Sequence, residues 1–115
     1  MKLYPLQKKA IIKSNEIFKD VIQNGFSEKG CFITLFFKKD QETSVGFAVN
    51  KKCRTKPIRN RIKRQLRELW RTRKIYGIPK AKYILMGSHK MKSTRFEILS
   101  EELDDLLERV IQKYS

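Results

Sequence analysis

The sequence predicts a single α+β domain with the element order α-β-β-α-β-α and room for one extra short strand. Three observations lead to this prediction. Apolar residues recur at helical spacing near both ends of the chain, a third helical pattern occupies a strongly basic central segment, and short apolar or alternating runs lie between them. The chain has 115 residues, 40% hydrophobic and 10% aromatic, which suffices for one core. We therefore treat residues 1–115 as one domain.

Composition also argues against several classes of protein. No run of 18 apolar residues occurs, so we expect no membrane-spanning segment and no membrane partner. Residues 1–5 show neither the apolar stretch nor the cleavage site of a signal peptide. Cys31 and Cys53 lie outside any CxxC or Cys/His spacing, which indicates free thiols and not a zinc site. Together these features predict a cytoplasmic protein.

The first predicted helix covers residues 14–24. Ser14 is suited to cap its N-terminus, and Gly25 suits a left-handed residue just past its end. Four apolar residues recur along it at helical spacing: Ile17, Phe18, Val21 and Ile22.

Two strands are predicted next, at residues 31–37 and 43–49, joined by a polar turn at 39–42. The first is apolar on both faces, so we expect both faces to be covered. The second has small residues on one face, which allows close approach either by a packed helix or by a ligand. The bulky and the small residues alternate along it: Val45, Phe47 and Val49 against Ser44, Gly46 and Ala48.

The basic segment is the most unusual part of the chain. Residues 51–74 contain twelve Lys or Arg and one Glu, and so carry +11 of the formal net charge of +15. Pro57 suits the first position of a helix, which we expect to end near Tyr76, with Gly77 as its stop. One face carries a predicted core stripe, namely Ile58, Ile62, Leu66, Leu69, Arg73 and Tyr76. The adjacent flank carries Arg59, Lys63, Arg67, Arg71 and Lys74, with Trp70 among them.

This cationic flank indicates a surface for a polyanion. Arg59, Lys63 and Arg67 recur every fourth residue, about 6 Å apart along one helical edge, which is close to the spacing of successive phosphates. Arginine pairs with phosphate through two hydrogen bonds, and the Asn60 amide can both donate and accept. A merely solvated face is the alternative, and the scarcity of compensating acids argues against it.

A last short strand is predicted at residues 83–86, followed by a helix that Thr94 and Glu97 open as a capping box. The apolar residues of this helix are Phe96, Leu99, Leu103, Leu106 and Val110. Its outer face is acidic and is expected to point away from a nucleic acid; it carries Glu101, Glu102, Asp104, Asp105 and Glu108.

The sequence predicts no catalytic site in the polypeptide itself. A protein nuclease needs metal-holding carboxylates or a histidine with a second acid–base group. The only histidine, His89, lies in a polar loop and is read as solvated, and no nucleotide-binding, zinc-protease or EF-hand pattern is present.

One motif resembles a known family. Residues 49–52 (Val-Asn-Lys-Lys), 59–64 (Arg-Asn-Arg-Ile-Lys-Arg) and 67–68 (Arg-Glu) resemble the signature of the protein subunit of bacterial ribonuclease P. Residues 18–25 look like that family's Phe-x-x-Val-x-x-x-Gly helix end. Asn50 departs from the usual Ser, and the loop at 53–57 is more basic than the family's version.

The resemblance implies a compact domain with a left-handed crossover through the basic helix. It further implies a 1:1 partnership with a large catalytic RNA, which with Mg²⁺ would remove the 5′ leader of precursor tRNA while the protein assists substrate and metal binding. The edge meeting that RNA would comprise Lys51, Lys52, Arg59, Asn60, Arg61, Lys63, Arg64 and Arg67.

The resemblance also implies a separate cleft for the single-stranded leader, between the first helix and the sheet. Phe18 matches by motif, and Leu35 and Phe37 are the candidates on the strand; base stacking and a plain core role are both open for all three. The rival reading is a ribosomal-type or chaperone-type structural RNA-binding protein, which the RNA that co-purifies would distinguish. DNA binding is a weaker rival, since no helix-turn-helix spacing is evident.

Overall fold

A computed structural model describes residues 11–72 and 78–114, which form a four-stranded sheet and three α-helices. The extra short strand that the sequence allowed is present and directly follows the first helix. In chain order the elements are α1 (Asn15–Asn24), β1 (Phe26–Lys29), β2 (Ile33–Lys39), β3 (Ser44–Val49), α2 (Lys56–Arg71), β4 (Ala81–Gly87), a 3₁₀ helix (His89–Ser93) and α3 (Phe96–Tyr114).

The strands are ordered β1-β2-β4-β3 in the sheet. β4 pairs antiparallel with β2 and parallel with β3, so that Ile84 lies opposite Phe36 on one side and Gly46 on the other. β3 is therefore not the hairpin partner of β2, although a short polar turn joins them. Parallel neighbours require a crossover connection, and α2 provides it. The left hand implied for this crossover stays a prediction.

Both faces of the sheet are covered, as the apolar pattern of β2 predicted. One face packs on α2 and α3, and its fully buried residues include Leu35 and Leu85 from the sheet, Leu66 from α2 and Leu103 from α3. α1 packs on the other face, where Val21 is fully buried. No helix within residues 11–72 or 78–114 is long and apolar enough to cross a membrane.

The N-terminus of α1 is capped as the sequence predicted, whereas its C-terminus has a different backbone conformation from the predicted one. The Ser14 hydroxyl accepts a hydrogen bond from the Ile17 N–H at 3.4 Å, which confirms the predicted cap. Gly25 is extended (φ −93°, ψ −166°), so the predicted left-handed conformation is wrong. The chain passes straight into β1, and a side chain at position 25 would collide with the carbonyl oxygens of Phe37 and Val21. The glycine is needed for close approach and not for its φ angle.

The last helix begins differently from its prediction. The Thr94 hydroxyl donates to the Lys90 carbonyl oxygen at 2.8 Å, and α3 starts at Phe96, so the predicted capping box is wrong. The Phe96 side chain is 41% exposed and does not belong to the core.

A carboxylate of α3 ties this helix to the sheet and fixes where β2 begins. Glu102 accepts hydrogen bonds from the backbone N–H groups of Cys31, Phe32 and Ile33 at 2.5, 2.9 and 2.8 Å. The N–H groups of Cys31 and Phe32 are thus bound to a side chain and not to a neighbouring strand, and β2 starts at Ile33, two residues after the predicted position 31. Glu102 is thus a structural residue on a helix face that the sequence presented as solvated.

Candidate nucleic-acid interface

Helix α2 places its basic residues outward because its apolar stripe is anchored in the core. Ile62, Leu66 and Leu69 are fully buried, which confirms the core of that stripe. Pro57 is the second residue of the helix and so lies one place after its predicted first position, still within the first turn. The helix ends at Arg71, before the predicted end, and Thr72 follows with its hydroxyl donating to the Glu68 carbonyl oxygen at 2.9 Å. Arg73, Lys74, Tyr76 and Gly77 lie outside the described residues.

Trp70 was predicted among the cations and lies instead in the core. Its side chain is 2% exposed, and its ring centroid is 5.5 Å from that of Tyr83. The Tyr83 hydroxyl donates to the Pro79 carbonyl oxygen, and burial raises the pKa of this hydroxyl. Trp70 lies at the border between the core stripe and the cationic flank of α2. Because an indole has a large apolar area, burial is favoured and the side chain turns into the core.

A groove of about 520 Å³ runs along β3 between α1 and α2, and we call it the basic groove. One wall consists of Arg59, Lys63 and Arg67 from α2. The opposite wall comes from α1 and the residues before it, and the floor is the edge strand β3; these residues are Ile11, Ile12, Lys13, Asn15, Phe18, Lys19, Ile22, Phe47, Ala48 and Val49. None of the described residues lining the groove is acidic. The groove therefore combines apolar surface with cations on both sides.

The small face of β3 makes room for the α1 wall. A Cβ atom at Gly46 would lie 2.6 Å from Cζ of Phe18 and 3.2 Å from Cβ of Ile12, so these side chains pack directly on the glycine. Helix packing, one of the two explanations for the small residues, is thereby confirmed. Phe18 is half-buried, with part of its ring in this contact and part lining the groove.

Two arginines of the α2 wall are held in place by their neighbours. The Arg67 guanidinium carbon lies 5.9 Å from the ring centroid of Phe47, a cation–π distance. Arg59 donates to the carbonyl oxygens of Cys53 at 2.8 Å and Asn50 at 3.4 Å. Arg59 thus spans two points of the preceding loop, and part of its hydrogen-bonding capacity is used within the protein.

The loop after β3 has a defined conformation despite its basic composition. The Asn50 side chain accepts from the Lys52 N–H at 3.0 Å, and the Asn50 N–H donates to the Gly87 carbonyl oxygen at 2.8 Å. Cys53 is buried as a free thiol, whereas Lys51 and Lys52 are exposed. Asparagine commonly makes this side-chain turn, so Asn50 helps to fix the conformation of the loop.

The remaining predicted residues of α2 lie outside the groove. Asn60, Arg61 and Arg64 are exposed and are not among the residues that line it. The structure thus gathers Arg59, Lys63, Arg67 and Phe18 around one groove, although the family resemblance implied two separate surfaces for them.

Leu35 and Phe37 are corrections to the predicted cleft. Both are fully buried on the sheet face that packs against α2 and α3, and the Phe37 ring centroid is 6.0 Å from that of Tyr83. No base can stack on a side chain without exposed surface. Successive side chains of a strand point to opposite faces of the sheet, so the β2 residues that face α1 alternate with Leu35 and Phe37. Lys38 is one of them, because its ammonium lies 2.6 Å from the Asp20 carboxylate of α1.

Sequence reasoning missed several groove residues, of which Ile22 and Ala48 carried a usable signal. Ile22 follows Phe18 by four residues and so lies on the same face of α1. Ala48 belongs to the small face of β3 that had already been singled out.

The acidic and potential metal-ligating side chains of the described residues lie outside the basic groove. Across residues 11–72 and 78–114, no three His, Cys, Asp or Glu residues are grouped so that they could hold a metal ion. His89 is exposed at the start of the 3₁₀ helix. Glu68 is half-buried and pairs with Arg71 at 2.7 Å, which raises the pKa of that guanidinium.

Comparison with known proteins supplies the family. The family model described as Ribonuclease P matches residues 6–111. The ribonuclease P protein component of Carboxydothermus hydrogenoformans is 24% identical over 102 residues, covering 85% of this chain and 88% of the relative. The ribonuclease P proteins of Thermotoga maritima (TM-score 0.73, 24% identity, 86% of this chain and 96% of that one) and Staphylococcus aureus (TM-score 0.73, 22% identity, 87% and 94%) share its fold. With its signature residues on α2 and a family match over nearly its whole length, the chain belongs to the ribonuclease P protein family.

Proposed function

We propose that this chain binds the catalytic RNA of ribonuclease P and the 5′ leader of precursor tRNA, and so assists endonucleolytic removal of the leader. The basic groove carries the proposal. It joins an aromatic and apolar wall to a cationic wall without an acidic lining residue, in a chain of this family. Cations neutralise phosphates, and the Phe18 ring offers a face on which an unpaired base stacks.

Cleavage is assigned to the RNA partner, acting with Mg²⁺. Magnesium takes oxygen ligands, chiefly carboxylates and phosphates. The described groove lining offers ammonium and guanidinium groups and no carboxylate, so its side chains do not fit a magnesium site. The metal would be held by the RNA and substrate phosphates, and the protein would neutralise charge around them.

We further propose that one protein binds one catalytic RNA, in the cytoplasm. A ribosomal-type or chaperone-type RNA-binding protein would be expected to co-purify with a different RNA. If the chain is purified under gentle conditions, we expect one stable RNA of several hundred nucleotides with it; bulk ribosomal RNA in its place would favour the rival.

Reconstitution is the direct test. Purified protein is added to its cognate catalytic RNA at a Mg²⁺ concentration too low for the RNA alone to cleave precursor tRNA. We expect cleavage at the mature 5′ end with both components and none with protein alone. A variant with Arg61 and Arg64 both changed to alanine removes two exposed cations of the predicted RNA-binding edge, and we expect it to activate the RNA less than the unaltered protein. Metal-dependent cleavage by RNA-free protein would contradict the proposal.

A further inference from the structure

Another cavity, of about 260 Å³, lies at the end of the sheet where β1 and β4 finish and β2 begins, and we call it the end cavity. It shares no lining residue with the basic groove, and of the predicted RNA-binding edge only Lys52 takes part in it. The end cavity is therefore separate from the groove on which the proposed function rests. Its lining consists of Lys29, Gly30, Cys31, Phe32, Thr34, Asn50, Lys52, Met86, Gly87, Ser88, His89 and Lys90.

Backbone hydrogen bonds give the end cavity a fixed frame. The Ser88 N–H donates to the Phe32 carbonyl oxygen at 3.1 Å, and the Asn50 N–H donates to the Gly87 carbonyl oxygen at 2.8 Å. The turn between β1 and β2, the loop after β3 and the start of the 3₁₀ helix are thereby joined, although they are far apart in the sequence. Side chains from these three segments are thus held at defined positions around one space.

The charge of the end cavity is positive. None of its described lining residues is acidic, and three of them are lysines, namely Lys29, Lys52 and Lys90. Among residues 11–72 and 78–114, none of these lysines forms an ion pair. The Glu102 carboxylate is bound by the turn before β2 and lines a different cavity. The end cavity therefore gathers ammonium groups that no described carboxylate pairs with, which favours an anion.

Neutral hydrogen-bond donors accompany these cations. The Asn50 Oδ1 accepts from the Lys52 N–H at 3.0 Å, which leaves the Nδ2 amide group to donate. The Ser88 hydroxyl is enclosed and has no hydrogen-bond partner among the described residues, and Thr34 adds a second hydroxyl on a half-buried side chain. Ammonium, amide and hydroxyl groups are the side-chain donors with which proteins hold phosphate oxygens.

We propose that the end cavity binds a terminal phosphate group, that is, a phosphomonoester. Such a group carries a charge of about −1.5 to −2 at pH 7 and three acceptor oxygens, whereas a phosphate within a nucleic-acid chain carries a single charge. A volume of about 260 Å³ lies just below the range of about 300–1,000 Å³ for small-molecule pockets, so the end cavity suits the end of a molecule and not a passing strand. A free nucleotide and the 5′ end of an RNA both present this group.

The test compares two matched variants, Lys90→Ala and Lys92→Ala. Both remove an exposed lysine from the 3₁₀ helix, but only Lys90 lines the end cavity. The isotope-labelled full chain is titrated with adenosine 5′-monophosphate, and with adenosine as the phosphate-free control, while backbone amide signals are followed by NMR. We expect the nucleotide alone to give saturable shifts at Thr34, Gly87 and Ser88. Lys90→Ala should weaken this binding about two- to fivefold, and Lys92→Ala should leave it unchanged.

A second titration distinguishes the two sources of the phosphate. A short single-stranded RNA is added with either a 5′ phosphate or a 5′ hydroxyl. Tighter binding of the phosphorylated RNA than of the nucleotide, with shifts at the same amides, identifies the RNA end as the ligand; the reverse order identifies a free nucleotide.

Two results would overturn the proposal. One is the absence of shifts around the end cavity, with any response confined to groove residues such as Ala48. The other is an equal loss of nucleotide affinity in Lys90→Ala and Lys92→Ala, which would mean that the lysines act only through the overall charge. Because neither titration contains the catalytic RNA, a negative result leaves the proposed function standing.

Discussion

At the scale of single residues, the basic side chains of this family signature are not equivalent. Arg59 is half-buried and binds two backbone carbonyl oxygens, whereas Arg61 and Arg64 are exposed. A planar guanidinium with several donors can bridge two acceptors in a way that an ammonium cannot. Arg59 therefore acts first on the protein, by holding the loop that presents Lys51 and Lys52.

Replacing Arg59 should consequently destabilise the fold. We expect Arg59→Ala to lower the free energy of unfolding by about 1–3 kcal/mol, because two carbonyl oxygens lose a charged donor. Arg59→Lys should recover only part of this loss. Urea unfolding measures it, with Arg61→Ala as the control that removes a charge without a loop contact. Equal stabilities of Arg59→Ala and Arg61→Ala would show that the loop does not depend on Arg59.

Phe18 has two roles that different substitutions separate. Phe18→Leu keeps apolar bulk over Gly46 and removes the aromatic face, while Phe18→Ala removes both. We expect Phe18→Leu to weaken binding of leader-bearing precursor tRNA by about 1–3 kcal/mol, the range for one lost stacking contact, with little change for mature tRNA. Affinities are compared at a temperature where circular dichroism shows the variant folded. If both substrates lose affinity equally, Phe18 is a packing residue only.

At the scale of elements, α1 is attached to the sheet partly through a surface ion pair. The Asp20 carboxylate accepts from the Lys38 ammonium at 2.6 Å and from the Asn24 amide at 2.7 Å. The hydrogen bond from Lys38 contributes most to lowering the pKa of Asp20, and that from Asn24 contributes next. Lys38 is in β2, so the pair links the helix to the middle of the sheet.

The lowered pKa sets the sign of a pH dependence. A carboxylate whose folded pKa lies below its unfolded value near 3.9 stabilises the fold above that pH and loses this contribution as the pH falls through its folded pKa. We therefore expect Asp20→Asn to melt below the unaltered protein at pH 7, with the two melting temperatures converging below about pH 4. Asp105→Asn, at an exposed residue of α3, is the control. A difference that persists at low pH would mean that the Asp20 charge is not its cause.

The elements also show how far the sequence alone could lead. The core stripe of α2 and the coverage of both sheet faces followed from periodicity, because burial selects apolar residues at fixed spacing. Strand order did not, because the short turn between β2 and β3 is compatible with a hairpin, and only the non-local pairing of β4 separates them. Leu35 and Phe37 were misplaced because a strand apolar on both faces carries no signal of which face meets which helix.

At the scale of the whole molecule, charge is distributed unevenly. α3 carries six acidic and two basic residues, whereas α2 carries seven basic residues and one acidic residue. The electrostatic potential is therefore more positive on the α2 side than on the α3 side, which favours approach of a polyanion to α2. The two helices pack on the same core, but α2 is mainly basic and α3 is mainly acidic.

This asymmetry predicts a steep and localised salt dependence. Affinity for the catalytic RNA should fall with log salt at a slope of about −0.7 to −0.9 per phosphate contact. Arg61→Ala should reduce the magnitude of the slope by about one contact. Arg109→Ala, which removes the same charge from α3, should leave it unchanged. A nearly flat dependence between low and physiological salt would show that α2 is not the binding surface.

The position of β4 between β2 and β3 has a consequence for how the protein is made. During synthesis on the ribosome, both neighbours emerge before the strand that joins them, so the sheet closes only after Gly87 has left the exit tunnel. Until then β2 and β3 each present an unpaired edge, and the nascent chain already displays the cations of α2. Since β3 forms the floor of the basic groove, an incomplete chain carries the charge for RNA binding without the groove that selects among RNAs.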